Sequence, residues 1–242
     1  MNPPTLTNSS DLEGQAAKAN RHDFDAAGVT VIAVVGPAGS GKSSIIEELL
    51  LRMAPPLRIA VMMCDAAADR HITRITRYGY PAVAVNTKRA SAVCVREALP
   101  KLDFSGLDLL LIEVDGNSID STEFDLGHHF CIGVFSSAGG DDKANDFPLL
   151  ITSSDLILLT KLDLLPFVTF DLQAFTHDVN RIKPGVSILR VSVHSGKGIK
   201  EWLEWTEDHR LANSAQHHSN RVFDPFVSWS RSNNGSIARD AL

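Results

Sequence analysis

The fold of this protein is decided by a stretch that begins Val29-Thr30-Val31-Ile32-Ala33-Val34-Val35 and continues Gly36-Pro37-Ala38-Gly39-Ser40-Gly41-Lys42-Ser43-Ser44. The second part matches G-x-x-x-x-G-K-[ST], the phosphate-binding loop (P-loop), and stands between an apolar run and a predicted helix. Its glycines let backbone N–H groups point at phosphate oxygens, and the helix N-terminus adds a positive field. We predict that Lys42 reaches the β- and γ-phosphates of a nucleoside triphosphate and that Ser43 is a ligand of Mg²⁺. Further nucleotide contacts are predicted for Gly36, Gly39, Ser40, Gly41 and Ser44.

Apolar runs of strand length alternate with helical stretches from residue 29 to residue 210. Uninterrupted apolar runs are typical of parallel strands covered on both faces, and this alternation favours right-handed crossovers. The predicted fold class is α/β, a doubly wound, mostly parallel sheet of the P-loop NTPase type. The predicted strands are Val29–Val35, Arg58–Met63, Ala82–Asn86, Asp108–Val114, His129–Ser136, Asp155–Thr160 and Val186–Ser192, and the predicted helices are Lys42–Met53, Ala66–Tyr78, Ala90–Leu99, Asp171–Arg181 and Ile199–Arg210.

The composition excludes several other classes of protein. Lys plus Arg number 23 and Asp plus Glu number 29, so the formal net charge is −6, and a chain without a basic run is poorly suited to nucleic acid. No apolar stretch approaches the roughly 20 residues that span a bilayer, and no secretory signal is visible at the start. The three cysteines lie far apart, which argues against a disulfide scaffold. We expect a cytoplasmic protein that binds neither nucleic acid nor membranes.

The base of the nucleotide is predicted from Thr160-Lys161-Leu162-Asp163, which follows a predicted strand. The Asp163 carboxylate can accept two hydrogen bonds from the N1–H and N2–H₂ edge of guanine, whereas adenine offers no such donor pair. The aliphatic stem of Lys161 can cover the purine face. At Ser192-Val193-His194-Ser195-Gly196, backbone N–H groups can meet guanine O6. The alternative for Asp163 is the cap of a turn or helix.

Acidic residues at two predicted strand ends are candidates for the remaining contacts. Asp65 follows one strand, and Glu113 and Gly116 form an acid-x-x-Gly sequence after another. In this geometry a carboxylate holds metal-bound water, and a glycine N–H donates a hydrogen bond to the γ-phosphate. The predicted catalytic set is Lys42, Asp65, Glu113 and Gly116, with Mg²⁺ held by Ser43, Asp65 and Glu113. Each of these acidic residues is equally well explained as a polar group at the end of a strand. Because no Gln or Arg stands out as the group that orients the attacking water, we expect slow hydrolysis.

Three parts are predicted along the chain. Residues 1–25 form a flexible arm with a short helix around residues 12–20, residues 26–211 form the P-loop GTPase domain, and residues 212–242 form a disordered tail rich in Ser, Asn, Arg and His. Phe167 and Phe170, which follow Pro166, are interpreted as core residues.

Several further segments between residues 20 and 205 are similar to one family. They are Asn20–Phe24, Gly79–Thr87, Leu111–Asn117, Phe124–Gly127, Asp155–Pro166 and Ser195–Trp205. In these segments the chain resembles the hydrogenase nickel-incorporation GTPases, the HypB family, which are relatives of the urease accessory GTPase. The resemblance implies a SIMIBI-type GTPase fold, GTP and Mg²⁺ as ligands, a homodimer that switches with GTP, and slow hydrolysis. It also implies a client metalloenzyme or metallochaperone and a role in nickel insertion.

The chain departs from that family at its metal ligands. The family's Cys and His positions carry Lys88 and Arg89, and its second cysteine position carries Asp120. These residues cannot form the thiolate–imidazole cluster that suits Ni²⁺ or Zn²⁺, so binding of either metal is doubtful. Lys88 or Arg89 pairing with Asp120 is our hypothesis for the former metal position. His128-His129-x-Cys131 is interpreted as part of a buried strand rather than as a metal site.

Two alternatives to a nickel-insertion GTPase stay open. Without metal ligands, the chain can be a nucleotide-gated regulatory or scaffold paralogue with little turnover. A small-molecule kinase shares the P-loop, but the chain has no evident acceptor site and its Thr160-Lys161-x-Asp163 sequence disfavours adenine nucleotides.

Overall fold

The computed structural model describes residues 9–53, 57–66, 68–118 and 124–222, and it contains one parallel sheet flanked by helices. The seven strands of the described residues lie in the order β3-β2-β4-β1-β5-β6-β7. The strands are β1 Thr30–Gly36, β2 Ile59–Asp65, β3 Ala82–Asn86, β4 Leu109–Asp115, β5 Phe130–Ser136, β6 Leu156–Thr160 and β7 Ser187–Arg190. The helices are α1 Ser9–Ala27, α2 Lys42–Arg52, α3 Ala68–Thr76, α4 Ala92–Ala98, α5 Lys143–Asp146, α6 Pro148–Ser153, α7 Leu172–Ile182 and α8 Ile199–Val222. The predicted α/β fold class is confirmed.

Strand β1 lies at the centre of the sheet because both of its faces are covered by apolar side chains. Val31, Ala33 and Val35 belong to the core on one side of the sheet, and Ile32 and Val34 belong to the core on the other side. All seven residues of the strand are buried. A strand that is buried on both faces reads as a continuous apolar run, which is why the sequence located it correctly.

The end of β1 lies between two neighbouring strands, β4 and β5. Gly36 lies opposite Asp115 of β4, and Val35 lies opposite Gly133 of β5. The connection from β1 leads to β2 on one side, whereas β5 and β6 lie on the other, so the strand order switches at β1. Ligands of open α/β sheets bind in the crevice at such a switch point, outside the carboxyl ends of the strands.

Helix α1 differs from the flexible arm that we predicted for residues 1–25. It runs from Ser9 to Ala27, and its Phe24 is fully buried in the core. The buried side chain of Asn20 donates hydrogen bonds to the carbonyl oxygens of Ala92 (2.9 Å) and Leu126 (3.0 Å). These contacts order the segment although its sequence has a weak apolar pattern. Residues 1–8 lie outside the described residues.

Helix α8 continues past residue 211, where we predicted that a disordered tail begins. It ends at Val222, and within the additional turns the buried Asn213 side chain donates a hydrogen bond to Thr30 Oγ1 at 3.1 Å. This polar contact to the start of β1 anchors a helix segment that has few apolar residues. The rest of the predicted tail, residues 223–242, lies outside the described residues, and the division into three parts remains a prediction.

Within the described ranges, the helices lack an apolar segment long enough to cross a bilayer.

Replacing Asn20 by alanine is expected to destabilise the fold. The Asn20→Ala variant leaves two carbonyl groups without their buried donor, which costs about 2 kcal/mol of unfolding free energy. Urea denaturation followed by circular dichroism measures the change. Lys18→Ala, at an exposed position of the same helix, is the matched control and is expected to stay within about 0.5 kcal/mol. Equal stability of both variants would contradict the anchoring role of Asn20.

Candidate nucleotide-binding site

The P-loop connects the end of β1 to the start of α2, and its glycines are required by its conformation. Gly39 and Gly41 have positive φ angles of 75° and 96°, a region that side chains with a Cβ rarely adopt. A Cβ at Gly36 would lie 2.2 Å from the carbonyl oxygen of Val134 on β5. The loop therefore curls tightly over the end of the sheet, as the motif predicted.

Lys42 lies in the first turn of α2 and points back into the loop. Its ammonium group donates hydrogen bonds to the carbonyl oxygens of Gly36 (2.7 Å) and Pro37 (3.2 Å). Burial lowers the pKa of Lys42, and the negative charges of Glu113, Asp115 and Asp65 partly oppose this effect. A desolvated cation at this position is well suited to phosphate oxygens, which are stronger acceptors than the loop carbonyls.

Oxygen-bearing side chains surround the start of α2. The Ser43 hydroxyl donates a hydrogen bond to Glu113 Oε1 at 2.8 Å, and Glu113 lies on β4 directly opposite Met63 of β2. Asp65 ends β2, close enough for its charge to affect the pKa of Lys42. Hydroxyl and carboxylate oxygens are the donors that Mg²⁺ prefers, so this set fits the ion.

Asp115 is a site residue that the sequence analysis did not select. It ends β4 opposite Gly36, and its charge also acts on Lys42. Its carboxylate accepts hydrogen bonds from the backbone N–H and the side-chain amide of Asn117, each at 3.1 Å. A signal was present, because Asp115 follows Glu113 at the same strand end. Residues two apart in a strand lie on the same face, however, so the sequence does not decide whether Glu113 or Asp115 is closer to the loop.

Gly116 packs directly on the P-loop. A Cβ at this position would lie 2.8 Å from the carbonyl carbon of Gly36 and 2.9 Å from the nitrogen of Pro37. The segment after β4 and the loop after β1 are therefore in contact through their backbones. A change in the position of one requires a change in the position of the other.

The predicted base-recognition residues also contact the P-loop. Thr160, at the end of β6, donates a hydrogen bond from its hydroxyl to the Ser40 carbonyl at 2.6 Å. Lys161 has a positive φ angle of 58°, and its ammonium group donates to the Gly39 carbonyl at 2.7 Å. The Lys161 carbonyl accepts a hydrogen bond from the Ser137 hydroxyl at 2.7 Å, a contact from the residue after β5 that sequence spacing did not indicate.

The carboxylate of Asp163 is held by the segment after β7. The Ser192 hydroxyl donates to Asp163 Oδ1 at 2.5 Å and accepts a hydrogen bond from the Ser195 N–H at 3.2 Å. The hydrogen bond from Ser192 holds the pKa of Asp163 below its usual value. Asp163 is therefore ionised at neutral pH and can accept hydrogen bonds from a ligand.

A pocket of about 350 Å³ adjoins the P-loop and contains these groups. Its walls come from the start of α2, from the segment after β6 and from the segment after β7. The lining residues are Gly41, Ser44, Ile45, Thr160, Lys161, Asp163, Leu164, Val193 and His194. The structure thus brings together two predicted groups that lie more than 100 residues apart in the sequence. Ile45 and Leu164 are additions to the predicted set, and His194 belongs to the predicted Ser192–Gly196 segment.

Other residues that the sequence singled out lie elsewhere. Lys88 and Arg89 occupy an exposed turn after β3, where Thr87 Oγ1 accepts a hydrogen bond from the Arg89 N–H at 3.1 Å. Asp120 lies outside the described residues, so the pairing that we proposed with it stays a hypothesis. In the described ranges, His, Cys, Asp and Glu side chains nowhere form a group of three that could hold a metal ion. Phe167, the last residue of a 3₁₀ segment, is 82% exposed, so its interpretation as core was wrong, whereas the partly buried Phe170 packs against the core as predicted.

His129 has both ring nitrogens engaged in the fold. Nδ1 accepts a hydrogen bond from the Val31 N–H at 2.9 Å, and Nε2 lies 2.8 Å from Asp25 Oδ1. Cys131 is buried on β5, where burial raises the pKa of its thiol to about 12. Metal binding by these side chains would require these contacts to break, which agrees with their interpretation as structural residues.

The fold and this pocket define a P-loop nucleotide-binding protein. The profile described as CobW/HypB/UreG, nucleotide-binding domain, matches residues 30–190. Hydrogenase maturation factor HypB of Escherichia coli (strain K12) is 33% identical over 205 residues, which cover 84% of this chain and 71% of that protein. The corresponding protein of Azotobacter vinelandii is 38% identical over 200 residues, which cover 80% of this chain and 65% of that protein.

The crystal structure of HypB from Archaeoglobus fulgidus superposes with a TM-score of 0.76 at 30% identity, covering 82% of this chain and 98% of that one. The chain belongs to the CobW/HypB/UreG family, in which it is similar to the HypB proteins.

Substitution of Gly116 is expected to weaken nucleotide binding. In Gly116→Ala the new methyl group meets the P-loop backbone, which must shift. We expect this overpacking to raise the free energy of nucleotide binding by about 1.4 kcal/mol or more, which is a tenfold or greater loss of affinity. Calorimetric titration with Mg²⁺ and nucleotide measures the affinity. Gly14→Ala, on α1, meets no atom within 4 Å and is the matched control. Unchanged affinity in Gly116→Ala would show that the contact does not shape the loop.

Proposed function

We propose that this protein binds GTP and hydrolyses it slowly as an accessory protein in the maturation of a nickel metalloenzyme of the hydrogenase type. Its two relatives described above are named hydrogenase maturation factors. The observation that carries the choice of GTP is the pocket beside the P-loop, in which Ser192 holds the ionised Asp163 carboxylate. Guanine can satisfy this carboxylate with two further donors, whereas adenine offers no matching pair of donors to it.

Each part of the nucleotide has a matching group in the site. The P-loop N–H groups and Lys42 are assigned to the phosphates, and Lys161 is assigned to the face of the base. Ser43, Asp65 and Glu113 are assigned to Mg²⁺, which supplies neutralisation of the phosphate charge when bound. In the free protein the Lys42 ammonium is held by loop carbonyls, so phosphate binding exchanges those hydrogen bonds for charge-assisted ones.

Slow hydrolysis follows from what the site offers to a water molecule. The residues assigned to the triphosphate neutralise charge, and the sequence offers no glutamine or arginine that stands out as the group orienting the attacking water. Neutralisation without a group that orients water is expected to give a low rate. A low rate suits a switch, because the GTP-bound state then persists long enough to engage a partner.

Switching is proposed to occur through GTP-dependent dimerisation. The contact of Gly116 with Gly36 and Pro37 supports this, since it joins the segment that is assigned to the γ-phosphate to the loop that holds the phosphates. A ligand that binds one arrangement of these segments better than another shifts the population towards it. The GTP-bound homodimer would then engage a client metalloenzyme or a metallochaperone.

The assignment of the nucleotide site is tested with two substitutions. Lys42→Ala removes the buried cation and is expected to weaken GTP binding by roughly 30-fold or more. Asp163→Asn turns an acceptor into a donor and is expected to weaken GTP and to favour xanthosine triphosphate, whose base offers a matching acceptor. Fluorescence titration with labelled nucleotides measures both affinities.

Controls for these variants come from exposed positions of α1. Lys18→Ala and Asp11→Asn remove the same charges away from the pocket and are expected to bind GTP normally. Far-UV circular dichroism shows whether each variant is folded. Unchanged GTP affinity in folded Lys42→Ala and Asp163→Asn proteins refutes the site, and turnover of ATP with a metabolite favours a kinase instead.

A nucleotide-gated scaffold that carries no metal is the second candidate. It is favoured by Lys88 and Arg89, which stand where the resemblance places metal ligands. Calorimetry with Ni²⁺ and Zn²⁺, in the presence of GTP and Mg²⁺, distinguishes the two candidates. For the accessory protein that carries metal itself we expect micromolar binding, and for the scaffold we expect no binding beyond a buffer control.

Size-exclusion chromatography with GDP and with GTP tests the dimer in the same samples, and identical elution contradicts GTP-dependent dimerisation.

A further inference from the structure

Thr160 lines the nucleotide pocket, and its side chain is packed against the P-loop. It is 3% exposed, and its hydroxyl group donates a hydrogen bond to the Ser40 carbonyl oxygen at 2.6 Å. A Cβ at Gly41 would lie 3.2 Å from Thr160 Oγ1 and 3.7 Å from its Cγ2. A hydroxyl group has only one hydrogen to donate. Thr160 therefore uses its single donor within the protein, and only the lone pairs of Oγ1 are left for a ligand.

The contacts proposed for GTP determine how the base enters this pocket. Guanine carries N1–H and N2–H₂ on one edge of its six-membered ring, and these donors are assigned to Asp163. The ribose leaves from N9 of the five-membered ring and leads to the phosphates, which are assigned to the P-loop. The five-membered ring is therefore directed from Asp163 towards the P-loop. The wall on that side of the pocket includes Thr160 and Gly41.

The remaining edge of guanine carries two acceptors, O6 and N7. O6 is next to N1 and is assigned to the backbone N–H groups of residues 192–196. N7 belongs to the five-membered ring, and the side-chain hydroxyl on the wall that this ring meets is that of Thr160. Because its hydrogen points to the Ser40 carbonyl, a lone pair of Oγ1 is directed towards N7. Two acceptors that face each other form no hydrogen bond.

The other side-chain donors that line the pocket are engaged elsewhere or belong to another part of the ligand. Lys161 donates from its ammonium group to the Gly39 carbonyl at 2.7 Å, and its stem is assigned to the face of the base. His194 is close enough to Asp163 for its charge to act on that carboxylate, which places it near the N1 edge. Ser44 lies in the first turn of α2, at the phosphate end.

We propose that this protein reads guanine at N1, N2 and O6 and leaves N7 without a hydrogen bond, so that guanine nucleotides lacking N7 bind as well as GTP. The proposal rests on the proposed function and specifies its base recognition. Discrimination against adenine does not suffer, because N7 is an acceptor in both purines and cannot distinguish them. Thr160 is accordingly a positioning residue, which holds the P-loop through Ser40 rather than contacting the base.

The test compares GTP with 7-deaza-GTP, in which a C–H group replaces N7, on the full-length chain. Competition against a GTP analogue that carries a fluorophore on its ribose, in the presence of Mg²⁺, measures both affinities. The two affinities are expected to agree within threefold. A hydrogen bond to N7 would instead make 7-deaza-GTP about fivefold weaker than GTP.

Two substitutions of Thr160 separate a contact with the loop from a contact with the base. Thr160→Val removes the hydroxyl group at similar volume and is expected to weaken GTP and 7-deaza-GTP by the same factor. Thr160→Asn supplies two amide hydrogens, one for the Ser40 carbonyl and one for N7, and is expected to bind GTP about fivefold more tightly than 7-deaza-GTP. Thr152→Val is the matched control, since it also removes a hydroxyl–carbonyl hydrogen bond, at an exposed position of α6.

The outcomes distinguish this proposal from the proposed function on which it rests. Absence of saturable GTP binding refutes both, whereas GTP binding with a more than threefold weaker 7-deaza-GTP overturns only the proposal on N7. The same holds if Thr160→Val weakens GTP more than 7-deaza-GTP, or if folded Thr160→Asn binds the two nucleotides equally. Thr152→Val is expected to bind both nucleotides as the unaltered chain does, and circular dichroism establishes that each variant is folded.

Discussion

The backbone of the P-loop is packed against the ends of two neighbouring strands, and the rest of the site depends on this packing. Gly36 approaches the Val134 carbonyl on β5, and Gly116 after β4 approaches Gly36 and Pro37. Neither approach leaves room for a Cβ. Since the loop is confined from both sides, its N–H groups hold one arrangement before any ligand arrives. A cradle that is ordered in advance loses little conformational entropy on binding.

A second set of contacts joins this cradle to the base pocket. Thr160 and Lys161 donate hydrogen bonds to the carbonyl groups of Ser40 and Gly39, respectively. The phosphate region and the base region are therefore parts of one hydrogen-bonded unit, although separate strands carry them. A ligand that contacts both regions would therefore meet one connected unit rather than two independent loops.

Electrostatics at the site are organised around one buried cation. Lys42 is held by loop carbonyls and lies within the field of Glu113, Asp115 and Asp65. Burial disfavours its charged form, and these carboxylates restore it in part. In the assignment proposed above, phosphate groups would add negative charge to this environment, and a divalent cation at the oxygen-rich set around Ser43 would balance it. The charge balance of the site is thus completed by the ligand rather than by the protein.

The sequence by itself determined the alternation of strands and helices, the P-loop and the Thr160-Lys161-x-Asp163 segment, because burial on both faces and tight turns leave clear local patterns. Only the tertiary structure decided that Ser137 and Asp115 join the site, since each is distant in the sequence from the residues that it meets there. It also decided the extent of α1 and of α8. Buried polar side chains, Asn20 in α1 and Asn213 in α8, contribute to anchoring these helices, and such isolated contacts have no periodicity that a sequence pattern can express.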